Sequence, residues 1–154
     1  MPEGGRVIYV VREPIAALVS FYHFNSGWFM EPGAMDLERF ALDYICHRHG
    51  RHDYWHHIVS WWPRLGDEGV LPLCYEDVVA DLPGTVARVA RFMGLPDDED
   101  AVEIATRQAD KAFMQRYPTL WEDERLRAYC NPAMGLPLEC KGTKVRADDV
   151  EESG

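Results

Sequence analysis

The chain has 154 residues, 47% of them apolar and 12% aromatic, which suits one domain with a buried core. Its formal net charge of −10 argues against a nucleic-acid backbone as partner, because such a partner demands a basic footprint. Cys46, Cys74, Cys130 and Cys140 show no C-x-x-C spacing, and neither a signal peptide nor a membrane span is visible, so free thiols in a reducing, cytoplasmic compartment are expected.

The first element is Val7-Ile8-Tyr9-Val10-Val11, continuously apolar and rich in β-branched residues. That pattern predicts a strand buried on both faces, as in parallel sheets. Glu13 and Pro14 end it, and Pro14 at a first helical position opens an amphipathic stretch to about Phe24. Arg12 is thereby placed at the carboxyl end of a buried parallel strand, with Ser20 two turns into the next helix. In open α/β sheets that edge is where anionic ligands bind. A permanently charged guanidinium and a hydroxyl there can hold a phosphate. The plainer alternative pairs Arg12 with a surface acid and leaves Ser20 as a helix-face serine, since such short patterns are common.

Asn25 to Ala34 reads as a loop broken by Gly27, Pro32 and Gly33. Asp36 then N-caps a helix whose Leu37, Phe40, Ala41, Tyr44 and Ile45 share one face. A basic, His-rich break at Arg48–Arg51 leads into an aromatic helix from about His52 to Leu65. Val70–Tyr75 is the second strand; Pro72 inside it donates no ladder bond and places it near an edge or bulge. Pro83 opens a further helix that stops at Gly94, and Pro96 with Asp97-Asp98-Glu99-Asp100 starts another, to about Gln108. Leu120 to Tyr129 is a charged amphipathic segment, followed by a tail of little periodicity.

Two strands make too small a sheet for strands buried on both faces. The chain is therefore expected to be the back part of a larger α/β domain over residues 1–146, with an acidic, disordered tail at 147–154. His47, His49, His52, His56 and His57 include one helical i, i+4 pair, but no acidic or Cys partner completes a recognisable metal motif. No metal is expected.

The string Arg6-Val7-Ile8-Tyr9-Val10-Val11-Arg12-Glu13-Pro14, with Leu18-Val19-Ser20-Phe21-Tyr22-His23-Phe24, resembles the core of the cytosolic-type sulfotransferases. These use 3′-phosphoadenosine 5′-phosphosulfate (PAPS). Three further segments keep that family's order. Tyr54-Trp55-His56-His57-Ile58-Val59-Ser60-Trp61-Trp62 is similar to its aromatic helix. Val70-Leu71-Pro72-Leu73-Cys74-Tyr75-Glu76-Asp77 is similar to its strand followed by Tyr-Glu-Asp. Phe113-Met114, after Ala109 and Asp110, resembles its Ser/Thr-Phe-x-x-Met region.

The resemblance implies part of a P-loop-type, three-layer α/β fold, a parallel sheet with helices on both faces. The family's N-terminal strand, its glycine-rich phosphate loop and its histidine base have no counterpart in this sequence, so no catalytic residue is nominated. By the same resemblance, Arg12 and Ser20 hold the 3′-phosphate of the nucleotide and Tyr75 contacts the adenine. Tyr75 also fits a core tyrosine with a satisfied hydroxyl. Phe113 and Met114 would wall the adenine, or serve as plain core, and Lys111 replaces a hydroxyl contact. Arg146, in Lys144-Val145-Arg146, matches a second 3′-phosphate ligand, but Ala147-Asp148-Asp149 lacks the glycine that lets backbone approach a phosphate, and a solvated charged tail fits better. Glu13 stands where the family has Asn, and Ala16 where Asp is common. The implied activity is transfer of the sulfuryl group from PAPS to a hydroxyl or amine of a small acceptor, with this chain inactive alone. A degenerate, non-catalytic nucleotide-binding or interaction module is the alternative. A nucleotide kinase-like protein is a third, against which the Tyr-Glu-Asp and Trp-Trp segments count.

Overall fold

In a computed structural model, residues 4–31, 33–46, 54–96, 98–121, 124–135 and 145 are described. Val7–Val11 forms β1 and Val70–Cys74 forms β2. They pair in parallel, from Val7 opposite Val70 to Val11 opposite Cys74, and among the described residues they make up the whole sheet. The helices follow in chain order: α1 (Pro14–Trp28), α2 (Leu37–Cys46), α3 (Tyr54–Trp61), α4 (Tyr75–Ala80), α5 (Leu82–Met93), α6 (Glu99–Ala109), α7 (Lys111–Arg116) and α8 (Glu124–Met134). Short 3₁₀ turns at Trp62–Arg64 and Pro118–Leu120 close α3 and follow α7.

The register explains how a proline is accommodated in β2. Val7 N–H bonds Gly69 O, so by parallel alternation the main-chain groups of residues 69, 71 and 73 face β1. Those of Pro72 face the other way. No ladder bond is lost, and the Pro72 carbonyl accepts from Arg88 of α5 at 3.3 Å. The register runs through without a bulge, so of the two expected settings the edge is the one found.

Burial is uneven across the sheet. Val70, Leu71 and Leu73 of β2 are buried, as is Tyr9 of β1, whose ring lies 5.3 Å from Trp61 and 5.5 Å from His57. Ile8 and Val10, on the opposite face of β1, remain 41% and 52% exposed. The expectation that this strand is buried on both faces is thus met on one face only. By alternation, the main-chain groups of Ile8 and Val10 also point away from β2.

Caps set most helix ends. Asp36, Asp81, Asp98 and Asp110 accept from the first-turn amides of α2, α5, α6 and α7. Gly94 ends α5 with φ 75, a conformation few side chains adopt, and the Arg6 guanidinium bonds the nearby Phe92 carbonyl at 2.5 Å. Two boundaries differ from the sequence reading. α1 continues to Trp28 rather than Phe24, because Asn25 Nδ2 donates back to Phe21 O at 2.7 Å and Asn25 O accepts from both Phe29 and Met30. Near the end, the helix lies at Glu124–Met134, with Pro132 inside it, rather than at Leu120 to Tyr129. Phe40 of α2 packs its ring against Phe21 and Tyr22 of α1, which joins the two helices. No helix among the described residues is long and apolar enough to cross a membrane. The Arg48–Arg51 break, His47, His49, His52, Arg146 and the tail at 147–154 lie outside the described residues.

Candidate functional site

Parallel pairing brings the ends of β1 and β2 side by side, so the next residues, Arg12 and Tyr75, meet. The Arg12 guanidinium carbon lies 4.4 Å from the centroid of the Tyr75 ring, a close cation–π contact. Tyr75 opens α4 rather than ending the strand, and its side chain is 41% exposed, which sets aside the core-tyrosine reading. Arg12 Nε is buried and has no hydrogen-bond partner. Among the described residues no carboxylate is within ion-pair distance of it, although the Glu76 carboxylate lies near enough to feel its charge. One face of the guanidinium is stacked while an N–H donor stays unspent. A buried donor in that condition is costly unless something fills it.

The side chains of Tyr54, Glu13 and Glu76 hold this corner. Tyr54 at the start of α3 donates its hydroxyl to Arg12 O. Glu13 turns its carboxylate onto the start of α1, accepting from Ile15 N at 3.0 Å and Ala16 N at 2.6 Å. Its negative charge is therefore taken up by the helix N-terminus. Glu76 bridges the two strand ends: Oε1 accepts from Glu13 N at 3.0 Å, and Oε2 accepts from Cys74 Sγ at 3.0 Å. The thiol's hydrogen bond, then the Glu13 amide and the nearby Arg12 charge, hold the Glu76 carboxyl below its ordinary value. The same bond to Glu76 pushes the Cys74 thiol up.

Ser20 lies half-buried on α1, roughly 9 Å along the helix axis from Pro14 at 1.5 Å per residue. The structure joins Arg12 to Tyr75 directly; Ser20 is not part of that contact. Phe113 and Met114 are half-buried on α7, where Phe113 packs on Tyr117 at 4.9 Å, not on Tyr75. His56 and His57 are exposed, and the described residues contain no group of three or more His, Cys, Asp or Glu able to hold a metal. Sequence reasoning missed Glu76 and Tyr54 as fasteners and read Glu13 as a strand stop and a departure from the family's Asn, not as a helix cap. An acid immediately before a helix-opening proline was the available signal for the Glu13 cap.

A family model described as "Sulfotransferase domain" matches residues 4–128. The chain is 29% identical over 111 residues to Sulfotransferase 6B1 of Danio rerio, covering 71% of this chain and 38% of that protein. It is 27% identical over 113 residues to Amine sulfotransferase of Oryctolagus cuniculus, covering 73% of this chain and 38% of that one. Among solved structures, mouse sulfotransferase SULT7A1 complexed with PAP superposes with a TM-score of 0.64 at 21% identity, over 72% of this chain and 40% of that chain. Retinol dehydratase in complex with androsterone and inactive cofactor PAP gives 0.64 at 24% identity, over 71% and 32%. The chain thus spans about 38% of the length of the curated relatives it matches.

Proposed function

Because the chain belongs to the sulfotransferase domain family, we propose that Arg12, Tyr75 and Ser20 form the 3′-phosphoadenosine end of a PAPS site. The protein would then pass the sulfuryl group to a hydroxyl or amine of a small acceptor. One observation carries the reading: Arg12 is stacked on the exposed Tyr75 ring at the carboxyl ends of both strands, with a buried Nε donor unspent. Arg12 would donate to the 3′-phosphate, Tyr75 would offer a ring face to the adenine, and Ser20 would add a neutral hydroxyl from α1. In the transfer itself, the bond from sulfur to the 5′-phosphate oxygen breaks as the acceptor atom bonds sulfur, and the acceptor's proton passes to a base. No residue of this chain is assigned as that base. A metal plays no part in this reading.

Binding measures it. Arg12→Ala is expected to weaken 3′-phosphoadenosine 5′-phosphate (PAP) by about 1.5–3 kcal/mol in titration calorimetry, through loss of a charge-assisted contact. Ser20→Ala costs less, about 0.5–1.5 kcal/mol. Adenosine 5′-phosphosulfate lacks the 3′-phosphate and should be almost unaffected by either change. Equal losses for the two nucleotides would make Arg12 a structural residue and end the assignment.

A further inference from the structure

A concavity of about 770 Å³ opens between the start of α5, the end of α6 and α7. It shares no lining residue with the Arg12–Tyr75 corner. Its apolar side carries Pro83 and the tilted ring pair Phe113–Tyr117, with centroids 4.9 Å apart and Tyr117 43% exposed. Arg107 from α6 and Arg116 from α7 also line it. Neither arginine has an ion pair among the described residues, in a chain whose net charge is −10. Acids are abundant here, yet among the described residues the one acid lining this groove, Asp110, forms no ion pair with either arginine. Thr106 also lines the groove, and its hydroxyl is buried with no hydrogen-bond partner. A volume within the range of small-molecule sites, a ring surface and a few convergent polar groups are what such sites require.

We infer that this groove is a separate binding site for a planar aromatic ring bearing one oxyanion, such as an aryl sulfate or an aryl carboxylate. The ring packs on Phe113 and Tyr117, and the oxyanion takes the forked donors of Arg107 and Arg116. Thr106 supplies the remaining hydroxyl. Asp110 stands on the same groove, and its carboxylate is held by the Ala112 and Phe113 amides. That charge opposes a bare small anion, so the ring is needed as well as the oxyanion.

The probe is 4-nitrophenyl sulfate, titrated into the 154-residue chain by calorimetry, with 4-nitrobenzoate separating ester from carboxylate. Both are expected to bind saturably at one site. 4-Nitrophenol, which keeps the ring, and inorganic sulfate, which keeps the anion, should each bind at least about tenfold more weakly. Arg107→Ala and Arg116→Ala should each weaken the probe about tenfold, and Thr106→Val about threefold. Saturating PAP should leave probe binding unchanged. Displacement by PAP would make the groove part of the nucleotide site and overturn the inference. Tight binding of 4-nitrophenol, or full affinity in the Arg107→Ala/Arg116→Ala double variant, would overturn it too. Arg107→Gln and Arg116→Gln serve the same comparison if an alanine variant loses its helical circular dichroism.

Discussion

Glu76 accepts from a backbone amide on one strand end and from a thiol on the other, and its ionisation is tied to both. Its carboxyl is held below the ordinary 4.5, so the stabilisation it lends is present above that pH and is lost as acid takes the pH down through the folded value. Cys74 is raised above 9.0, so its share is present below that pH and is lost as alkali takes the pH up through the thiol's own folded value. Between these limits the bridge is intact. Glu76→Gln removes the charge that holds the thiol protonated, and alkylation of Cys74 by iodoacetamide at pH 8 should become faster. An unchanged or slower rate would show that the Sγ–Oε2 contact does not govern the thiol. Arg12 and Tyr75 were legible as strand-end residues because a breaker follows the first strand and the apolar run of the second stops there. Their stacking was not, since it depends on a register between residues 63 positions apart. The Glu76 bridge was hidden for the same reason.

Among the elements, α5 was read nearly to the residue from Pro83 and its closing Gly94, and the end of α6 was placed one residue short of Ala109. α1 was cut short because Asn25-Ser26-Gly27 looks like a breaker, whereas the Asn25 side chain bonds back into the helix. α7 was not seen at all, because six residues are fewer than two turns and carry no usable period. Tyr9 shows how β1 and α3 depend on one another: its ring packs on His57 and Trp61, but its hydroxyl is buried without a partner. Burial, then the neighbouring Tyr54, pushes that hydroxyl's ionisation above 10.0, so it stays neutral at ordinary pH. Tyr9→Phe keeps the ring and removes the orphaned donor, so chemical denaturation should show it unchanged or more stable by up to about 1 kcal/mol. Tyr9→Ala should cost about 3–5 kcal/mol through lost burial and a cavity. A Phe variant as damaged as the Ala variant would mean the hydroxyl has a partner after all.

For the whole molecule, the parallel α/β character was legible, and so was the smallness of a sheet with two strands. The sequence pattern could not show which face of β1 stays open; Ile8 and Val10 settle it by their exposure. Apolar residues on an open strand edge invite association, so the chain at high concentration should sediment as more than a monomer and bind an apolar dye. Val10→Lys should reduce both, and a monomer that binds no dye would contradict this. The form of that association follows from Pro72. Its ring nitrogen can donate to no newcomer and its carbonyl is already engaged by Arg88, so one margin of the sheet is shut. A copy that docks through β1 consumes the one margin that the described residues leave free on its neighbour. Growth then stops at the pair, because a fibre needs two joinable sides on every unit and the sheet of the described residues offers one.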